Sequence, residues 1–393
     1  REAGRPTRVT PLYEPLKEAG ALYGDSFGWE RARWYAAKNE KENYSFRRNN
    51  SFTAVAEECK AVRERVGLTD LTSFSKYEVS GKGAQGFLER LCANRVPIKA
   101  GGIVLSQMLT EKGGIESEAT IACLAENHYY LLSAAVAELH DFDWLVQHIQ
   151  KDEDVSVTNV TEDFGVLLIT GPLSRDVLST LTDIDLSNES GFTWMRAREI
   201  SVSGIPVRAL RVSYVGELGW ELHCAMPRLG ELHDALMQAG ELHGIRRFGT
   251  YAMNSLRMEK AYKGWGSELT TEISLVESDM LRFVRKSGGY IGADVVESKK
   301  QNGVSTHLVY CEVDAVDADP MGNEPVLHGD KIIGITTSGA YGHHVKKSLA
   351  FAYVQSGYES SDSTFKIRIL GEARQAKVLS KAVWDSENQR LKS

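Results

Sequence analysis

The sequence predicts an α+β fold of two mixed lobes followed by a smaller β-rich domain. Three observations carry that expectation. Stretches with helical spacing of apolar residues interleave with strand-like stretches as far as about residue 300. Near residue 160 the pattern restarts with the apolar run Val166 to Ile169, as at the opening of a second lobe. From about residue 300 onward only strand and turn patterns remain.

The elements follow in order. The first 50 residues are polar and aromatic, with Tyr13, Tyr23, Phe27, Trp29, Trp34 and Tyr35, and read as an arm packed on the body. Ala54 to Val66 has the spacing of an amphipathic helix, with Gly67 as its C-terminal cap. Leu68-Thr69-Asp70-Leu71-Thr72 follows, then an alternating strand from Lys76 to Ser80. Gly81 to Val96 is helical, with Phe87, Leu88 and Leu91 on one face. Val104 to Leu109 and Glu118 to Leu124 are strands joined through Lys112-Gly113-Gly114, whose glycines permit positive φ. Glu138 to Gln150 is helical, and a short helix starts at Leu173 after Gly171-Pro172. A hairpin runs from Val207 to Tyr214, through Gly216-Glu217-Leu218-Gly219, to Trp220 to Cys224. Helices at Leu229 to His243 and Tyr251 to Tyr262 complete the middle of the chain.

Composition narrows the function classes. Forty-six Lys and Arg against 53 Asp and Glu give a net charge of −7, with no global drive toward nucleic acid or an anionic membrane. The most apolar stretch, Tyr129 to Leu139, is interrupted by Glu138 and falls well short of the roughly 20 residues a membrane span needs. The polar start Arg1-Glu2-Ala3-Gly4 does not resemble a signal peptide, and its lack of Met suggests a chain cut from something longer. Cys59, Cys92, Cys123, Cys224 and Cys311 are scattered, so free thiols in a reducing compartment are expected, with no metal clip or disulfide framework. G-x-S-x-G, a Walker loop and a G-x-G-x-x-G after a strand are all absent.

What remains are carboxylates in unusual company. Tyr214, Glu217 and Glu221 share one glycine-rich hairpin, where alternation across the turn could bring Tyr214 and Glu221 together. A carboxylate there could grip a guanidine-like heterocycle edge through two parallel charge-assisted bonds, or simply be a solvated surface glutamate. Asp70 reads as a turn or cap residue and Arg257 with Glu259 as an exposed charged face, while Tyr341 and His343 sit on a glycine loop that could line a site.

Taken together, these segments resemble the glycine-cleavage T-protein (aminomethyltransferase) superfamily, and most of all the folate-binding C-terminal half of dimethylglycine and sarcosine dehydrogenases. The resemblance is carried by Phe27-Gly28-Trp29-Glu30-Arg31, Gly67 to Thr72, Gln107-Met108-Leu109 with Gly113-Gly114-Ile115, and Ile169 to Pro172. The hairpin Ser213-Tyr214-Val215-Gly216-Glu217-Leu218-Gly219-Trp220-Glu221 is its most specific segment. Phe248 to Lys260, Gly264 to Glu268 and Thr337 to His343 complete a series that runs in order over nearly the whole chain. It implies a three-domain cloverleaf with a β-barrel C-terminal domain. The arm would be 1–50, the first lobe 51–160 with 245–300, the second lobe 161–244 and the barrel 301–393.

The resemblance also implies a central tetrahydrofolate site. Asp70 would act at the reactive folate nitrogens, Glu221 would hold the pterin amino-pyrimidine edge, and Tyr214 would line the same pocket. Thr110, Ile115 and Trp265 would surround the ligand, with Arg257, Arg282 and Arg285 as candidates for its glutamate tail. Thr110 stands where the family often has Asn, and Met253-Asn254 where T-proteins carry Arg-Asp, which points to the dehydrogenase-linked branch. The implied reaction is capture of formaldehyde or a methylene-iminium as 5,10-methylenetetrahydrofolate. FAD would lie only in a separate oxidoreductase or demethylase domain, N-terminal to this one, and the compartment would be the cytoplasm or a mitochondrial matrix. Methyl transfer to folate, the folate half of a trimethylamine-oxide demethylase and a non-catalytic folate-binding module are the alternatives.

Overall fold

The structure, a computed structural model, describes residues 2–38, 40–188 and 191–393. It is an α+β fold of two sheet-bearing lobes and a closed six-stranded C-terminal barrel. The sheets divide the chain differently from the expected lobe boundaries. Strand Gly67–Asp70 leaves the first lobe and inserts in the six-stranded sheet of the second, between Phe164–Thr170 and the short parallel strand Arg246–Arg247. Gly219–Ala225, Ile205–Leu210 and Ala197–Val202 complete that sheet in this order. The five-stranded sheet runs Ile103–Leu109, Ile115–Ala125, His128–Ser133, Ser75–Ser80 and Ser156–Asn159.

Helix Ser51–Glu64 turns Val55, Cys59 and Val62 inward against Trp34, Leu168, Phe248 and Leu256, so it too belongs with the six-stranded sheet. Gly67 does not cap this helix in a left-handed conformation; it opens the next strand. Its lack of a side chain is needed for close approach, because a Cβ would lie 2.5 Å from Val62 and 2.9 Å from Phe248. Gly113 behaves as expected of a turn glycine, with φ of 79° between the two longest strands of the other sheet. The arm forms helix Tyr13–Glu18 and hairpin Ala21–Ser26/Trp29–Tyr35, and buries Leu12, Leu16 and Trp34 in the lobe.

Helix Thr250–Glu259 joins the lobes to the barrel. Ser255 donates to the Tyr341 carbonyl at 2.7 Å, Asn254 to that of Gly339 at 3.2 Å, and Tyr310 to that of Met258 at 2.7 Å. The expected exposed face of this helix is in fact buried: Arg257 is 6% and Glu259 0% exposed. Its polar residues meet the barrel rather than water, which a single-helix pattern cannot reveal.

One buried cation organises the junction. Arg63, 1% exposed, donates from Nε and Nη2 to Glu259, from Nη1 to Glu217 and the Val215 carbonyl, and from Nη2 to the Leu256 carbonyl. That uses all five guanidinium donors. Removing one partner of a buried pair strands the others without compensation. Arg63→Ala is therefore expected to lower unfolding free energy by about 3–5 kcal/mol, measured as a shift of the urea midpoint at unchanged slope.

Candidate active site

The register of the two sheets defines the site. In the six-stranded sheet Thr69, Leu168, Glu221 and Leu210 lie opposite one another across four strands, so their side chains share a face. The next row, Asp70, Leu167, Leu222 and Ala209, points the other way. That second face builds the core beneath helices Ser174–Ser179 and Leu229–Gly240. In the five-stranded sheet, Gln107 with Glu118, then Leu105, Thr120, Leu132 and Lys76, then Ile103, Ala122, Tyr130 and Glu78 are rows of one face.

The Glu221 face and the Glu118 face look at each other. Leu210 packs with Ile103, Ala122, Tyr130 and Leu132 to form an apolar seam between them. Beside that seam the facing residues are polar. Gln107 Nε2 donates to Glu118 Oε2 at 2.6 Å, and Gln107 Oε1 is buried without a partner among the described residues. Glu118 is enclosed by protein yet keeps some accessible area. Burial pushes its carboxyl up to about 7, against the opposing pull of Gln107 and the nearby Lys263. A group so poised can take or give a proton near neutral pH. Glu221 keeps 17% of its side-chain area accessible. Lys76 is fully buried, donating to the carbonyls of Thr72 at 2.7 Å and Phe74 at 2.8 Å, and burial pulls its ammonium down to about 7.

Tyr214 lies in the loop before strand Gly219–Ala225, not on a paired strand, so it does not stand across a tight hairpin from Glu221; Glu221 pairs with Leu210. Its ring stacks on Tyr262 at 6.0 Å and its hydroxyl donates to the Lys263 carbonyl at 3.1 Å. Burial pushes its phenol up to about 12, and the charges of Arg257, Glu268 and Glu118 all reach it. Glu217, expected in the same hairpin, is fully buried and committed to Arg63.

Asp70 stands at the end of its strand, and its charge is the strongest of those that favour the charged form of Lys76. It is on the opposite face of its sheet from Glu221, accepting from the Thr10 hydroxyl and the Thr72 N–H, both at 2.8 Å. The second bond closes the turn after the strand, the local role its sequence setting allows. Ile115 is fully buried in a core with Leu109, Leu269 and Leu275, so it has no surface to offer a ligand. The Thr110 hydroxyl accepts from the Gly114 N–H at 3.1 Å and closes the glycine turn. Arg257 bonds Asn254, Glu268, Ser338 and the Tyr262 carbonyl, and Arg285 bonds the carbonyls of Gly288 and Glu89. Both arginines are spent on the fold. Arg282 is exposed, and its charge reaches Tyr262 and Lys263. Trp265 sits beside His140, ring centroids 5.8 Å apart, with its Nε1 buried and unpartnered among the described residues.

Glu118, Gln107, Lys76, His223 and Tyr130 were not singled out from the sequence. The available signal was weak: polar residues alternating with apolar ones in strands, which normally reads as a solvated face. Here that face meets a second sheet.

Comparison with known proteins follows the same architecture. Residues 12–288 match the GCVT N-terminal domain and residues 307–385 the glycine cleavage T-protein C-terminal barrel domain. The chain belongs to the glycine cleavage T-protein family. It is similar to mouse mitochondrial dimethylglycine dehydrogenase, 37% identical over 96% of this chain and 44% of that protein. It is also similar to the formaldehyde-forming 4-methylaminobutanoate oxidase of Paenarthrobacter nicotinovorans, 31% identical over the whole of this chain and 48% of that protein. The chain therefore spans less than half the length of these relatives. The glycine cleavage system aminomethyltransferase T of Bartonella henselae has the same fold, with a TM-score of 0.84 over 97% of this chain and 99% of that one at 22% identity. Among the described residues no helix is long and apolar enough to cross a membrane, and no group of three or more His, Cys, Asp or Glu could hold a metal ion.

The raised Glu118 carboxyl has a stability consequence. The native state binds this proton more tightly than the unfolded chain, so the group's contribution is full below about pH 4.5 and is lost as pH rises toward about 7. Glu118→Gln removes that loss. The variant is expected to gain about 1–3 kcal/mol over wild type at about pH 8, with little difference at about pH 4.5, in paired urea titrations.

Proposed function

We propose that this chain is a tetrahydrofolate-dependent one-carbon transferase. It would capture formaldehyde or a methylene-iminium, released by demethylation of a methylated amine, as 5,10-methylenetetrahydrofolate. The observation that carries the reading is the placement of Glu118 and Glu221 on the facing sides of two sheets in a T-protein fold. The names of the relatives, a dimethylglycine dehydrogenase and a formaldehyde-forming oxidase, support a methylated-amine donor. An oxidoreductase domain holding FAD would supply the one-carbon unit, and the buried free cysteines suit a reducing compartment such as a cytoplasm or mitochondrial matrix.

The residues suit a pterin. An aminopyrimidine edge presents adjacent N–H donors, which the half-buried Glu221 carboxylate can accept together. The unpartnered Gln107 Oε1 offers a further acceptor on the facing sheet. When bound, tetrahydrofolate supplies the two amine nitrogens that take the one-carbon unit. Glu118, poised near neutrality, would accept the proton lost from nitrogen and return it to the departing oxygen. Tyr214 with Tyr262 would wall the ligand, Trp265 would supply a donor at its edge, and Arg282 would meet its anionic tail. Asp70, whose charge reaches Lys76, would act beside Glu118 at the reactive folate nitrogens, the role the resemblance implies for it.

Titration calorimetry with tetrahydrofolate and turnover with formaldehyde separate these roles. Glu221→Ala is expected to weaken binding by at least about tenfold. Glu118→Gln is expected to bind nearly as wild type but to lose about 100-fold or more in turnover. Asp70→Asn is expected to lower turnover more than binding. Unchanged binding by Glu221→Ala would overturn the ligand assignment. Lost turnover in Asp70→Asn with turnover kept in Glu118→Gln would leave the proton transfer to Asp70 alone.

A further inference from the structure

Behind Glu221 lies a chain of buried polar groups. His223, two residues on along the same strand, is 1% exposed on the same face. Its Nδ1 is 3.1 Å from the Tyr130 hydroxyl on the facing sheet. Its Nε2 is buried, has no hydrogen-bond partner among the described residues, and lies 3.6 Å from Glu221 Oε2. The Tyr130 ring is covered by Arg208, whose guanidinium carbon is 4.4 Å from the ring centre and which is itself paired with Glu78 at 3.0 Å.

Two placements of the imidazole proton are chemically open. With the proton on Nδ1, the histidine donates to the tyrosine oxygen and turns the Nε2 lone pair toward a carboxylate, which is repulsive. With the proton on Nε2, the tyrosine O–H donates to Nδ1 and the Nε2–H faces the carboxylate, so each polar atom meets its complement. We infer that Tyr130 fixes His223 as the Nε2–H tautomer, and that this N–H steadies Glu221 Oε2 so that the carboxylate presents both oxygens to a ligand edge. His223 and Tyr130 are thus positioning residues for the Glu221 contact. The inference rests on reading Glu221 as the ligand-binding carboxylate; the tautomer itself does not.

The charged surroundings agree with a neutral imidazole. His223 is faced by Glu221 on its own strand, Arg208 on the neighbouring strand, and Lys76 and Tyr130 from the opposite sheet. Burial, Lys76 and Arg208 disfavour a second proton and outweigh Glu221, which favours it. The tyrosine donor stabilises the neutral ring further, since Nδ1 cannot accept its O–H and carry a proton at once.

The test has two arms on the full chain, each variant first checked for a wild-type thermal melt. In the first arm, ¹⁵N NMR of the histidine ring in wild type and Tyr130→Phe is expected to show His223 protonated at Nε2 in wild type, with mixed tautomers and a higher pKa in the variant. A wild-type proton on Nδ1 would overturn the inference. In the second arm, tetrahydrofolate affinity is measured between about pH 5.5 and 8. Tyr130→Phe and His223→Gln are expected to bind about tenfold more weakly than wild type. Tyr130→Phe alone should weaken further as pH falls, because its imidazole then charges and competes for the Glu221 carboxylate. Equal affinities and parallel pH profiles would overturn the positioning role. If wild type binds no tetrahydrofolate, the reading of Glu221 and the positioning role fall together, while the first arm still decides the tautomer.

Discussion

The Arg63 guanidinium is the interaction on which the arrangement of the molecule depends. It sits where helix Ser51–Glu64, the Tyr214 loop, helix Thr250–Glu259 and the C-terminal segment meet. Glu217 and Glu259 neutralise both it and Arg390, which bonds Glu217 at 3.2 Å and the Arg63 carbonyl at 2.7 Å. Trp384 adds an indole donor to Glu217 at 3.0 Å. Two cations and two carboxylates balance, and every guanidinium donor is used, which is the condition under which a buried charge is tolerated. Since the Val215 carbonyl is among its acceptors, Arg63 also holds the residue next to Tyr214. A local charge balance thus fixes a loop that faces the inter-sheet space.

That space owes its chemistry to desolvation. Glu118 and Lys76 both stand near neutrality because burial penalises whichever of their forms is charged, in opposite directions. His223 stays neutral for the same reason. None of these groups belongs to a dense cluster of one kind; they come from different strands of two sheets. Stiff paired strands place them more firmly than loops could, as a preorganised site requires.

Much of the fold was legible in the sequence. The restart near residue 160 and the strand-only pattern after 300 correspond to the second sheet and the barrel, and the glycine turn at Gly113 has the positive φ its sequence called for. The lobe boundaries were not legible, because strand Gly67–Asp70 is inserted in a sheet whose other strands follow nearly a hundred residues later, and pairing partners leave no local trace. The same blindness governed the site. The hairpin drew attention to Glu221, but its register opposite Leu168 and Leu210, one row from Asp70, has no local trace. Glu118 and Lys76 were passed over because alternating polar residues look the same whether they face water or a second sheet. Arg257 and Glu259 show this for helices, where an apparent charged face is the barrel contact.

Whether the proposed ligand lies between the two sheets is decided by a crystal structure of the chain with tetrahydrofolate. Pterin density is expected in the inter-sheet space, with the amino-pyrimidine edge on the Glu221 carboxylate and Glu118 on the N5 and N10 side. Tetrahydrofolate bound elsewhere on the molecule, with the Glu221 carboxylate uncontacted, would contradict the proposal.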